Sequence, residues 1–111
     1  MKLATRTVGN VDVVVIDTAS LDADTAPDFR RDMEARLRPG ARVVIDLAAL
    51  SFIDSSGLGA ILTCLRRLHA AGGDLKLCNM RREVRAMFEL VRMHRIIEIH
   101  DSEEAAVQSF G

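Results

Sequence analysis

At 111 residues, 49% hydrophobic and 28% charged, the chain is long enough to build one core and too short for two. A net charge of −1 at pH 7 gives no overall attraction to nucleic acid or to an anionic membrane. Four Phe without a Trp or Tyr leave little of the stacking surface that a single-strand nucleic-acid binder uses.

The weakly alternating stretch 2–8 and the β-branched run 11–17 predict two strands joined through the turn Gly9-Asn10. Residues 22–25 carry helix-start chemistry, and Pro27 suits a first turn. Phe29, Met33 and Leu37 then recur at helical spacing until Pro39-Gly40. Residues 42–47 form a continuous apolar run, as in an interior strand covered by helices. Leu58, Ile61, Leu62, Leu65 and Leu68 mark one face of a long helix that Gly72-Gly73 stops. Residues 75–78 predict a further strand. Asn79 stands where it can cap a third helix with the apolar stripe Val84, Met87, Phe88 and Val91. Residues 96–99 predict a last strand, and Asp101 with Glu104 has the spacing of a capping box for a last helix. The expected result is a single α/β domain over residues 1–111: a mixed, mostly parallel sheet of about five strands packed by about four helices.

The informative segment is Asp54-Ser55-Ser56-Gly57-Leu58-Gly59, between a strand end and a helix start. Unpaired N–H groups point outward from such a first turn. One of Asp54, Ser55 and Ser56 serves as N-cap on the simplest reading. On the functional reading a hydroxyl there accepts phosphate, because a helix N-terminus favours an anion and a phosphoserine carries about −1.5 to −2 charges. Asp54, and Asp22 in the first loop, would make the phosphorylated surface more hostile to an acidic partner.

This segment, with Val44-Ile45-Asp46-Leu47 and Leu50-Ser51-Phe52-Ile53 before it, resembles the signature of STAS domains. More narrowly it resembles the bacterial anti-sigma factor antagonists. Leu21-Asp22 with Thr25-Ala26, Gly72-Gly73, Cys78, Val84, Phe88, Ile96-Ile97 and Ala106 extend the similarity over residues 11–108. The sequence departs from the family pattern at Ala19-Ser20, Arg81-Arg82 and Val91-Arg92. The resemblance implies a four-helix, mixed-sheet domain with Ser55 as phosphoacceptor. Ser56 remains a possible alternative acceptor. Asp22, Asp54, Ser56, Gly57, Leu58 and Gly59 would form or shape the contact surface.

By the same resemblance, the unphosphorylated protein binds an anti-sigma factor that is also a histidine-kinase-like serine kinase, and so frees the sigma factor. Phosphorylation separates the two, and a metal-dependent serine phosphatase resets the cycle. ATP and metal belong to those partners, so the chain itself would be no enzyme and need no cofactor. It would be monomeric or weakly dimeric, without direct nucleic-acid contact. A STAS regulatory subunit of a membrane transporter, or a stress-signalling scaffold without a phospho-switch, is the alternative.

Other signals are weaker. Ile53 stands where a Gly-x-Ser-x-Gly hydrolase elbow needs its first glycine. His69, His94 and His100 read as solvated or cap-adjacent rather than as part of a triad. Asp46 and Asp54 lack the acidic pair and lysine of a phospho-aspartate receiver. Cys64 and Cys78, without CxxC spacing, read as buried reduced thiols. No apolar run approaches the roughly 20 residues of a membrane span, and the N-terminus lacks a secretory h-region, so a cytoplasmic location is expected. Residues 66–95 hold eight basic and three acidic side chains, which suits either a solvated helix face or a basic docking edge for a partner protein.

Overall fold

The computed structural model describes residues 3–111; Lys2, expected in the first strand, lies outside them. β1 (Leu3–Val8) and β2 (Val11–Ile16) form an antiparallel hairpin in register from Leu3↔Ile16 to Val8↔Val11. β1 is a solvated edge, whereas Val11, Val13, Val14 and Ile16 of β2 are buried. A strand covered on both faces reads as a run of valines rather than as an alternation.

The two-residue strand β3 (Ser20–Leu21) leads into α1 (Ala26–Met33), which buries Ala26, Phe29 and Met33. Thr25 holds the cap position without a side-chain bond to the helix. The helix passes into a 3-10 turn over Glu34–Arg36, so Leu37 follows the helix and packs half-buried on the core instead of extending it.

β4 (Arg42–Asp46) pairs parallel with β2, starting at Val11↔Arg42. The short β5 (Phe52–Ile53) pairs parallel with β3 and precedes α2 (Ser55–Ala70). α2 turns Leu58, Ile61, Leu65 and Leu68 inward and ends where Gly72 takes φ +82, a conformation that costs glycine nothing. β6 (Asp74–Cys78) pairs with β4, and after α3 (Arg82–Leu90), β7 (Glu98–His100) pairs with β6, both parallel. The main sheet order is therefore β1-β2-β4-β6-β7. The chain closes with α4 (Glu103–Gln108).

Helices α1, α2 and α3 supply one face of the core, where Phe29, Ile45, Ile61, Leu68, Leu77 and Phe88 meet. Each such burial contributes roughly 1.5–3 kcal/mol. On the other face Val11, Val13, Val44 and Cys78 are covered by Ala106 of α4 and by Phe110. Lys76 is 5% exposed. Its Nζ donates to Ser109 Oγ at 2.7 Å, pairs with Glu98 at 3.4 Å and lies 4.3 Å from the centre of the Phe110 ring. The buried ammonium is thus compensated, which its burial requires.

Three further local expectations change. Asn79 does not cap α3; it sits at φ 59, and its amide donates to the buried Asp46 at 3.1 Å. The last strand begins at Glu98, because Met93–Arg95 form a 3-10 turn. Ser102, not Asp101, caps α4 by accepting the Ala105 N–H at 3.0 Å. Cys64 and Cys78 are free and buried. Among the described residues no helix is long and apolar enough to cross a membrane.

Candidate functional site

The pairing of β3 with β5, Ser20↔Phe52 and Leu21↔Ile53, sets the loop before α1 beside the start of α2. Asp54 caps α2: its Oδ1 accepts the Gly57 N–H at 3.1 Å, and its Oδ2 accepts the Ala23 N–H at 3.3 Å. One carboxylate thereby satisfies an orphan donor of the helix and ties the neighbouring loop to it. Asp22 organises that loop, accepting the N–H groups of Asp24 at 3.0 Å and Thr25 at 3.2 Å. Its own N–H donates to Thr25 Oγ1 at 2.9 Å.

Ser55 is the first residue of α2 and is exposed. Among the described residues, none shares a hydrogen bond with its hydroxyl. Ser56 is half-buried. Gly57 and Leu58 face inward. A Cβ at Gly57 would overlap the Leu21 carbonyl oxygen and lie 2.7 Å from Ile53 Cγ1, so this position admits only glycine at the observed spacing. Gly59 is half-exposed.

Ser55 stands on the rim between two shallow depressions. The first, about 330 Å³, is lined by Phe52, Ile53, Asp54, Glu83 and Met87. The second, about 260 Å³, is lined by Leu58, Gly59, Leu62, Val91 and Met93. Both are mainly apolar, and their only charged lining residues are the acidic Asp54 and Glu83. The positive end of the α2 dipole favours an anion at Ser55, and these two carboxylates give the surface beside it negative charge. The structure therefore brings Asp22, Asp54, Ser55, Ser56 and Gly59 to one surface and puts Gly57 and Leu58 beneath it.

Sequence reasoning assigned Met87 and Val91 to the core and so missed that α3 walls the site. Val91 is half exposed and not part of a buried stripe. The signal available was Leu90-Val91, two adjacent apolar residues that one helix face cannot both bury. The histidines lie elsewhere: His69 pairs with Asp74 at 2.7 Å and His100 with Glu98 at 3.1 Å, while His94 is exposed.

Residues 2–106 match the family model of the STAS domain. The anti-sigma-B factor antagonist of Bacillus subtilis is 30% identical over 97 residues, covering 87% of this chain and 89% of its own length. An anti-sigma-factor antagonist (STAS) domain protein from Planctomyces limnophilus has the same fold, with a TM-score of 0.89 at 14% identity over 96% of each chain. The anti-sigma factor antagonist SpoIIAA in its unphosphorylated form gives a TM-score of 0.79 at 25% identity, covering 98% of this chain and 96% of its own. The phosphorylated form of SpoIIAA from Bacillus gives 0.72 at 24% identity, covering 99% and 100%. The chain belongs to the STAS domain family, and the curated relative and SpoIIAA structures named above are anti-sigma factor antagonists.

Proposed function

We propose that this chain is an anti-sigma factor antagonist that works by partner switching. Unphosphorylated, it binds an anti-sigma factor with serine-kinase activity and so frees the sigma factor; phosphate on Ser55 ends that binding, and a phosphatase restores it. One observation carries the reading: the helix cap and the candidate acceptor are different residues. Asp54 holds the Gly57 and Ala23 N–H groups, which leaves the exposed Ser55 hydroxyl without a structural task. A phosphate there alters the surface rather than the fold. It adds about −1.5 to −2 charges between apolar depressions already rimmed by Asp54 and Glu83. That SpoIIAA has been solved in both unphosphorylated and phosphorylated forms supports the same reading.

The test is to mix the purified protein with its cognate kinase anti-sigma factor and ATP, and to map phosphate by mass spectrometry. Phosphate on Ser55, absent from Ser55→Ala and accompanied by dissociation, is the expected result. Equal partner affinity of the modified and unmodified protein would overturn the switch, since a partner that binds both equally shifts nothing.

A further inference from the structure

Among the described residues five large hydrophobic side chains are exposed to solvent, and three of them fall within one short segment: Leu90 at 75%, Val91 at 50% and Ile96 at 53%. The segment joins the end of α3 to β7, and only Met93 and the following Ile97 anchor it in the core. Single exposed apolar residues are ordinary, but a cluster of them on a small domain marks an interaction surface. Charge accompanies the cluster. Arg92 and Arg95, which follow Leu90 and Val91 in sequence, are exposed, and among the described residues neither has an acidic partner. Of the other basic groups of residues 66–95, Arg66 and Arg82 are also exposed without an acidic partner among the described residues, and the remaining four are engaged. Arg67 pairs with Glu34 and Arg85 with Glu89, Arg81 donates to the Ala48 carbonyl, and Lys76 is buried.

Arg92 adds a second oddity. It follows the C-cap of α3 at φ 62, in the left-handed region where glycine is the favoured residue. The chain keeps a long cationic side chain at a position whose backbone prefers none. Val91 and Met93 line the same depression as Ser55, whereas Arg95 and Ile96 line a separate one with His69, Asp74 and Glu98.

We infer that Leu90, Val91 and Arg92 form a second docking surface for the same protein partner that reads Ser55, and that this partner meets it with an apolar centre and an acidic rim. The inference rests on the reading of Ser55 as a partner-facing residue and extends it along α3. The aliphatic groups supply contact area, and the Arg92 guanidinium steers and orients an acidic face. Phosphate on Ser55 then acts at one end of the interface, while this surface fixes which partner docks.

The test measures affinity of the unphosphorylated full chain for the kinase anti-sigma factor by calorimetry, for the wild type, Leu90→Gln and Arg92→Gly. Both substitutions suit the fold: glutamine is a good helix former at an exposed position, and glycine relieves the left-handed backbone. The expected result is a loss of about tenfold or more in affinity for each. Melting temperature is expected unchanged for Leu90→Gln and equal or higher for Arg92→Gly. The salt dependence of binding should be smaller for Arg92→Gly than for the wild type.

Wild-type affinity in both variants, with Ser55 phosphorylation still ending the binding, overturns the docking surface and leaves the switch standing. Weakened variants alongside a phosphorylated wild type that binds as tightly as the unmodified protein uphold the docking surface and overturn the switch. A wild-type dimer in sedimentation that Leu90→Gln dissociates overturns the assignment in favour of a second copy of this chain. Absence of any binding by the wild type overturns both readings.

Discussion

Gly57 sits against the backbone of Leu21 so closely that a methyl group at its Cα would overlap the Leu21 carbonyl. This approach lets the first turn of α2 nest beside the β3–β5 pair, and it fixes where the cap and the candidate acceptor stand. Gly57→Ala must push the helix away from Leu21 and Ile53. It is expected to cost about 1–3 kcal/mol, the range for overpacking a filled site. Urea denaturation should show a lower midpoint with an unchanged slope.

The two hydrogen bonds of Asp54 predict unequal effects of two substitutions. Asp54→Ala loses the helix cap and the tie to Ala23, at a cost of about 1 kcal/mol or more. Asp54→Asn keeps an acceptor for one of the two N–H groups and should retain most of the stability. Equal loss in both variants, measured by chemical denaturation, would show that charge and not capping is what the position supplies.

Ser55 is expected to be silent in the fold. Ser55→Ala should change stability by no more than about 0.5 kcal/mol, as surface substitutions away from a cap do, and Ser55→Asp should be equally well folded because an acidic group suits a helix N-terminus. Partner titrations should separate them, with Ser55→Ala binding as the unmodified protein does and Ser55→Asp more weakly.

Burial pushes the Cys64 thiol up to about 11 and the Cys78 thiol up to about 12, the latter with help from the negative charges of Asp46 and Glu103. The unfolded chain releases these protons near 9.0, while the native chain holds them. The unfolded state therefore binds fewer protons above that value, and stability falls as pH rises from there through the native values. Below the unfolded value the thiols give no pH dependence. A Cys64→Ala/Cys78→Ala variant should show a shallower alkaline loss in pH-dependent denaturation. In the wild type, thiol alkylation at mildly alkaline pH should require unfolding.

Much of the architecture was legible because it is periodic. The valine run of β2, the inward leucines of α2 and the Phe88 stripe of α3 each repeat a burial pattern over several residues. What was not legible depends on distant partners. β3 and β5 are two residues each, too short to show a period, and exist only through their pairing. Lys76 reads as the polar position of a strand; its burial follows from Glu98, Ser109 and Phe110, which the local sequence does not reveal. Asn79 suits both a cap and a left-handed turn, and only the buried Asp46 decides between them. The candidate site divides the same way. The hexapeptide was visible as a motif, but the walls that α3 gives it were not.

The division of labour between Asp54 and its neighbour has a consequence for how often the protein can be used. A group that caps a helix cannot be modified without rebuilding the helix end, whereas a mark on the adjacent free hydroxyl leaves the folding equilibrium nearly where it was. On the proposed reading, each round of ATP consumption goes into exchanging bound proteins and none into conformational repair. The same molecule can then be written and erased many times, with its lifetime set by proteolysis rather than by the number of signals it has carried.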